Sequence, residues 1–143
     1  MAKWPRYGYG KTRLAKDIGK KNALRIQQKM LCHTLSVSNF LTENEIVETS
    51  LAFTGIGFQR SKRFCKKGGI KTFYSQGQGC LGEKMKRQLV LHKRKTMKNT
   101  QRDFIIIGTD LPDLSHMDIS NAISKLKFND VVLGPSNDGG YWL

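Results

Sequence analysis

Two aspartates late in the chain, each placed just past a short apolar run, are the residues best placed to do chemistry. Phe104-Ile-Ile-Ile-Gly108 leads into Thr109-Asp110-Leu111-Pro112, and Asp130-Val-Val-Leu-Gly134 leads through Pro135 to Asp138-Gly139-Gly140-Tyr141. Open α/β sheets bind their ligands beyond the C-terminal ends of the strands. A carboxylate there can ligate Mg²⁺ or Mn²⁺, hard cations that share their shell among one or two carboxylates, water and substrate phosphate. Pro112 ends the first run and fixes its turn, while Gly139 and Gly140 shape the turn after Asp138. Taken singly, each aspartate also reads as a turn former. Taken together, opposite a cationic loop, they point to a metal–diphosphate site with Asp110 as the metal ligand. Asp138 is left with two roles, a second metal contact or orientation of an acceptor.

The cationic loop is the opening segment. Lys3-Trp-Pro5-Arg-Tyr-Gly8-Tyr-Gly10-Lys11-Thr12-Arg13-Leu14 joins glycines to several cations at the start of a helix. Glycine lets backbone N–H groups come close to a phosphate, and a helix N-terminus adds partial positive charge. Lys3, Gly8, Lys11 and Arg13 are therefore the candidate phosphate-binding set, with arginine capable of a bidentate contact. Gly10-Lys11-Thr12 looks like the end of a P-loop, but Pro5 stands where that motif needs its first glycine. Only Met1–Trp4 lies upstream of that position, where a P-loop needs a buried strand.

Elements that could position these residues follow from periodicity. A helix is expected from Thr12 to about Ser38, broken near Gly19, with Leu14 and Ile18 on one face and Leu24, Leu31 and Leu35 on another. Strands are expected over 46–53 and 70–74. Basic helices are expected over 58–67, stopped by Gly68-Gly69, and over 81–95, with Leu81, Met85, Leu89 and His92 on one side. Ser115 and Asp118 have capping-box spacing ahead of Ile119, Ala122, Ile123 and Leu126. With strands over 104–108 and 131–133 flanking that helix, the order is a βαβ unit and implies a parallel sheet. The fold class is α/β, in one domain over 1–143.

Charge and cysteine content bound the partners. Residues 1–102 hold 23 basic and 5 acidic side chains, whereas 103–143 hold 2 and 6. A basic body suits an anionic partner without choosing among nucleic acid, membrane surface and phosphorylated small molecule. No nucleic-acid module or aromatic stacking face accompanies it, so specific nucleic-acid binding is not expected. Cys32, Cys65 and Cys80 are odd in number and widely spaced, as in a reducing cytosol. No run has the apolar length of a membrane span. A cytoplasmic location is expected.

Four motifs in order carry a more specific resemblance: the Lys-x-Pro-x-x-Gly-x-x-Lys-Thr-Arg-Leu opening, Gln76-Gly77-x-Gly79-x-Leu81-Gly82-Glu83-x-Met85, Gly-Thr-Asp-x-Pro, and Gly-Pro-x-x-Asp-Gly-Gly-Tyr. Together they resemble a bacterial transferase family with a glycosyltransferase-A-like fold, sometimes called selenodomain-associated transferase 1, and more distantly nucleotidyltransferases such as phospholactate guanylyltransferase. The resemblance implies a three-layer α/β/α, mostly parallel sheet of the nucleotide-diphospho-sugar transferase type. It implies a nucleotide-sugar or nucleotide donor, a divalent cation and an acceptor that it does not specify. Lys3, Lys11 and Arg13 would match the family's nucleotide-phosphate loop, Asp110 its metal-binding aspartate, and Asp138-Gly139-Gly140 a late loop near the reaction centre. Three departures stand out: the first strand is nearly absent, the chain stops soon after Gly140, and Cys80 stands where aspartate is common. Truncation at both ends is therefore expected. The readings left open are glycosyl transfer, nucleotidyl transfer with release of pyrophosphate, an inactive shortened relative, and a basic nucleic-acid-binding protein.

Overall fold

The computed structural model describes residues 1–95, 103–136 and 140–143. The expected polar connection 97–102 falls wholly outside them, and Asp138 and Gly139 lie outside them too. Three parallel strands form the sheet in the order β1 (Ala2–Lys3), β2 (Ser50–Thr54), β3 (Thr72–Ser75). The helices are α1 (Thr12–Glu43), α2 (Phe58–Lys67), α3 (Leu81–Lys95) and α4 (His116–Leu126).

Side chains alternate across a strand, and β2 shows what each face meets. Leu51 and Phe53 pack with Leu31 and Leu35 of α1 and Cys65 of α2, edged by the rings of Trp4 and Phe64. Tyr74 of β3 turns to the other face and meets His92 of α3. Helices thus cover both faces, the three-layer arrangement. Beyond the sheet, the far half of α1 packs on α4 through Leu41, Leu114 and Ile119, joined by Ile105, Ile107 and Leu111.

Gly19 breaks α1 as expected, with φ 80° and ψ 155°. The helix then runs past Ser38 to Glu43, because Leu41 continues its buried face. Ile46 closes that helix instead of opening the strand. The Ile46 N–H donates to the Leu41 carbonyl (2.9 Å) and the Glu45 N–H to that of Thr42 (3.1 Å), with Glu45 left-handed at φ 58°. This is the Schellman pattern. The same device ends α2, where Gly69 is left-handed and the Ile70 N–H donates to the Cys65 carbonyl (2.9 Å). Both strands therefore start later than their apolar runs.

Two expectations are corrected. Phe104–Gly108 and 131–133 form no strand ladder, so the βαβ unit is not built as expected. Instead the Gly108 N–H meets the Trp142 carbonyl (3.4 Å), and Trp142 and Leu143 pair with Gly134 (2.8 and 3.3 Å). The 141–143 segment thus lies against both runs. The apolar side assigned to α3 is also displaced: Leu81 and Leu89 are exposed, and α3 buries Gln88, whose amide donates to the Ser75 carbonyl (3.1 Å). The rings of His92 and His116 contact Tyr74 and Phe40.

The first strand is short yet firmly held. Beyond its pairing with β2, the buried Gln76 amide donates to the carbonyls of Ala2 (3.0 Å) and Ala52 (2.9 Å), bridging β1 and β2. The Gln27 amide donates to the Lys3 carbonyl (3.2 Å). Side-chain amides supply what a two-residue ladder lacks. Replacing Gln76 by Leu removes a buried donor from two carbonyls and should cost about 2 kcal/mol, since an unsatisfied buried polar group costs on the order of 1–3 kcal/mol. Chemical denaturation of the two proteins measures it.

The capping box is present as expected. The Asp118 N–H donates to Ser115 Oγ (3.3 Å), while Asp118 Oδ2 accepts from the Ser115 hydroxyl (2.6 Å) and backbone N–H (2.8 Å). These bonds, the hydroxyl's first, hold the Asp118 carboxyl below its ordinary range. A depressed carboxylate contributes stability above its unfolded value of about 4, and loses it as pH falls through the folded value. Ser115→Ala should cost about 1 kcal/mol at neutral pH. It should also flatten the acid limb of stability below about pH 4, measured by urea unfolding across pH.

Candidate functional site

The loop after β1 and the turn after Gly108 meet. Lys11 Nζ lies 3.0 Å from Asp110 Oδ2, the lysine side chain 21% and the aspartate side chain 63% exposed. The cationic opening and the first aspartate, separate features of the sequence, are brought together in space.

The opening loop is folded by its own small bonds. A turn closes with the Tyr9 N–H on the Arg6 carbonyl (3.1 Å), Gly8 takes φ +77°, and the Arg6 guanidinium lies 4.3 Å from the centre of the Tyr9 ring. Gly10 is buried against α1. A methyl group there would come within 1.9 Å of Gln27 Oε1, so the loop passes Gln27 at a distance only glycine allows. Lys11 then enters α1 as its N-cap residue in the left-handed region, φ 50° and ψ 43°, with no side-chain capping bond. The first turn of α1 holds no acidic residue.

The turn that carries Asp110 is anchored from behind. Leu111 and Leu114 pack into the cluster between α1 and α4. His33 Nε2 lies 2.8 Å from the Leu114 carbonyl, so this nitrogen carries the proton and donates. That bond ties α1 to the turn that carries Asp110. On the near side, the Met1 ammonium donates to the Ile107 carbonyl, seating β1 beside the 104–108 run.

The other predicted site residues stand apart. Lys3 and Arg13 have exposed side chains, and Lys3 contributes its backbone carbonyl to Gln27. Pro112 is exposed. The Gly140 carbonyl accepts the Ser136 N–H (3.0 Å), and Pro135 and Tyr141 form an antiparallel bridge. Asp138 and Gly139, between them, are outside the described residues.

The second motif, 76–85, is a separate constellation between the end of β3 and the start of α3. Arg87 donates to the Gln76 carbonyl and to that of Gln78 (3.0 Å), with its guanidinium lying where a Gly77 methyl would be. Glu83 Oε2 accepts the Cys80 N–H (2.7 Å), which, ahead of any other cause, holds its carboxyl below the usual range. This is half a capping box, with cysteine at the N-cap position of α3.

Gln27 and Gln76 were missed by sequence reasoning because glutamine defaults to the surface. The one signal was position: Gln76 opens a glycine-rich motif, and Gln27 falls in phase with Ala23, Leu31 and Leu35 on the buried stripe of α1.

Among the described residues no group of three His, Cys, Asp or Glu side chains converges. The site is open rather than enclosed. A hollow of about 930 Å³, lined by Met1, Ser50, Tyr74 and Ile106 among others, does not include Lys11 or Asp110.

The parallel three-stranded sheet and its crossover helices define an α/β protein. The chain is similar to a crystal structure from Desulfovibrio desulfuricans G20 described as a "putative nucleotide-diphospho-sugar transferase": TM-score 0.83, 23% identity, 98% of this chain and 58% of that one. It thus spans less than two-thirds of that protein's length. At this identity the likeness fixes the fold. The chain belongs to the family described as "Uncharacterized protein conserved in bacteria (DUF2064)", whose model matches residues 38–143. No curated protein matches it. No helix among the described residues is long and apolar enough to cross a membrane.

The contact of Gly10 with Gln27 is directly testable. Gly10→Ala should cost on the order of 2 kcal/mol, as the new methyl turns a buried amide away from the Lys3 carbonyl. In the Gly10→Ala/Gln27→Ala double variant the second substitution should cost less than it does alone. Urea unfolding of the four proteins gives the coupling.

Proposed function

We propose that this chain carries the donor half of a metal-dependent transferase acting on a nucleotide-activated substrate, with glycosyl transfer as the first reading and nucleotidyl transfer as the second. The observation that carries the proposal is the meeting of Lys11 and Asp110 at 3.0 Å beyond the ends of β1 and the 104–108 run. The likeness in fold to a nucleotide-diphospho-sugar-transferase-like protein supports it.

The donor set suits Mg²⁺ or Mn²⁺. Asp110 offers a hard, largely exposed oxygen ligand, and a positive charge already stands beside it as Lys11 Nζ. A single protein carboxylate is enough where water and substrate phosphates complete the shell. When bound, the cation would supply charge stabilisation to a diphosphate. Lys11 would contribute an ammonium at the same phosphates, and Arg13, in the first turn of α1, a planar guanidinium. The N-terminal pole of α1 adds its unsatisfied N–H groups. Together these offset charge developing on the leaving oxygen, the form of stabilisation expected to dominate such chemistry. Asp138 keeps its two sequence-derived roles, second metal contact or acceptor orientation.

The two readings differ in the bond that breaks. In glycosyl transfer the bond from the sugar's anomeric carbon to the diphosphate breaks and the nucleoside diphosphate leaves. In nucleotidyl transfer the α-phosphorus takes a new oxygen and pyrophosphate leaves.

Titration calorimetry with Mn²⁺ and a panel of nucleotides and nucleotide-sugars should show metal-dependent binding to the chain. Asp110→Asn should weaken that binding at least tenfold while the urea midpoint stays nearly constant, because the exposed ion pair is worth at most about 1 kcal/mol. Absence of metal-dependent binding to any member of the panel would remove the proposal.

A further inference from the structure

The sheet has an opening in its own plane. β1 pairs with Phe53 and Thr54, so the first residues of β2, from Ser50, extend past it on that side. On its other side β1 meets the 104–108 run through the Met1 ammonium, which donates to the Ile107 carbonyl. Ahead of Met1 these two flanking segments stand apart. The hollow of about 930 Å³ lies between them, with Ser50 and Ala52 on one edge and Ile105 and Ile107 on the other. Its walls come from both faces of the sheet: Leu41 and Ile119 from the α1–α4 side, Tyr74 and His92 from the α3 side. A cavity lined from both faces is a slot through the sheet, and this one lies along the line of β1.

Backbone edges face the slot from both sides. The Thr54 carbonyl accepts the Trp4 N–H (2.9 Å), so Thr54 turns its backbone toward β1, and the two-residue period of a strand turns Ser50 the same way. Ile107 turns toward β1 through its bond from Met1, and Ile105 follows it two residues earlier. An extended chain between two such edges can bond to both. A second, independent feature is Gln88 on the wall of the slot. It is 4% exposed, its amide donates to the Ser75 carbonyl, and its Oε1 accepts no hydrogen bond. A buried acceptor of this kind calls for a donor such as a peptide N–H. At the inner end stands the Met1 ammonium, whose burial lowers its pKa to about 6. Glu45, Glu48 and Asp103 line the outer end.

We propose that this slot binds the apolar C-terminal tail of a partner polypeptide as an added strand, parallel to β2 and in line with β1, with its carboxylate against the Met1 ammonium. The slot is separate from the Lys11–Asp110 corner, and the inference stands apart from the transferase reading. Charge selects the direction, since a tail carboxylate meets the ammonium only in the parallel sense. At about 3.3 Å per residue, the length alongside Ser50–Ala52 takes about three or four extended residues. Their side chains alternate between the α1–α4 cluster and the side where Phe104 meets His92, so both sets are apolar. The residues before them leave past Glu45, Glu48 and Asp103, which favours lysine or arginine there. No covalent step is involved.

The probe is the synthetic peptide Lys-Lys-Val-Ile-Val-Leu with a free C-terminal carboxylate, added to the 143-residue chain. Titration calorimetry should show saturable binding. The same peptide ending in an amide should bind about tenfold more weakly, the loss expected of one charge-assisted contact. Proline in place of the peptide's isoleucine removes a strand donor and should abolish binding. Hydrogen-exchange NMR should show the Ser50 and Ile105 amides protected when the peptide is bound. Protection of both amides without peptide would overturn the proposal, because another part of the chain then fills the slot. Protection that grows with protein concentration alone would overturn it in favour of a second copy. Equal binding of acid and amide, spectral shifts confined to α2, or no binding would each overturn it as well. None of these outcomes touches the nucleotide and metal titrations that test the transferase reading.

Discussion

A strand of two residues, Ala2–Lys3, carries the loop on which the candidate site depends, and buried side-chain amides hold it in the sheet. A ladder of that length offers few backbone bonds. Gln76 supplies donors to both Ala2 and Ala52, and Gln27 supplies one to Lys3. The direction in which the chain leaves β1, and so the position of Lys11, is set by these two glutamines together with the packing of Trp4 on Phe53 and Phe64. Gln27 serves twice, because its other face limits residue 10 to glycine. The site's geometry is thereby tied to the core, and not to the conformation of an exposed loop alone.

The second half of the site is built differently. Asp110 stands on a turn fixed by apolar packing of Leu111 and Leu114 and by one bond from His33. Neither partner in the ion pair has been made strong by burial. The carboxylate is mostly exposed, and an exposed pair contributes little to stability.

Helices were legible in the sequence wherever a local signal set both phase and end. The capping box at Ser115 and Asp118, the glycine pair after Lys67 and the break at Gly19 each act within a few residues, and each appears in the structure. Strands were less legible, for a physical reason. Ile46 and Ile70 look like strand openings but spend their N–H groups on helix carbonyls. The run Phe104–Gly108 has alternating contacts, with Phe104 toward His92 and Ile105 and Ile107 toward α1 and α4. Periodicity reports such burial; it does not report which backbone will pair with it. The buried glutamines were invisible for the converse reason, since composition cannot show a polar side chain satisfied by carbonyls far along the chain. Of the candidate site, the pairing of the Lys11 loop with Asp110 was legible from chemistry, whereas the scaffold that enforces it was not.

The Lys11–Asp110 corner is the proposed seat of phosphate and metal. Crystals grown with Mn²⁺ and a nucleoside diphosphate, measured at the manganese absorption edge, test it most directly. The account predicts an anomalous peak about 2.2 Å from an Asp110 carboxylate oxygen, near the value expected for small hard cations, with the diphosphate against Lys11 and the first turn of α1. A nucleotide bound instead on the exposed cations of α2, with no metal at Asp110, would contradict it.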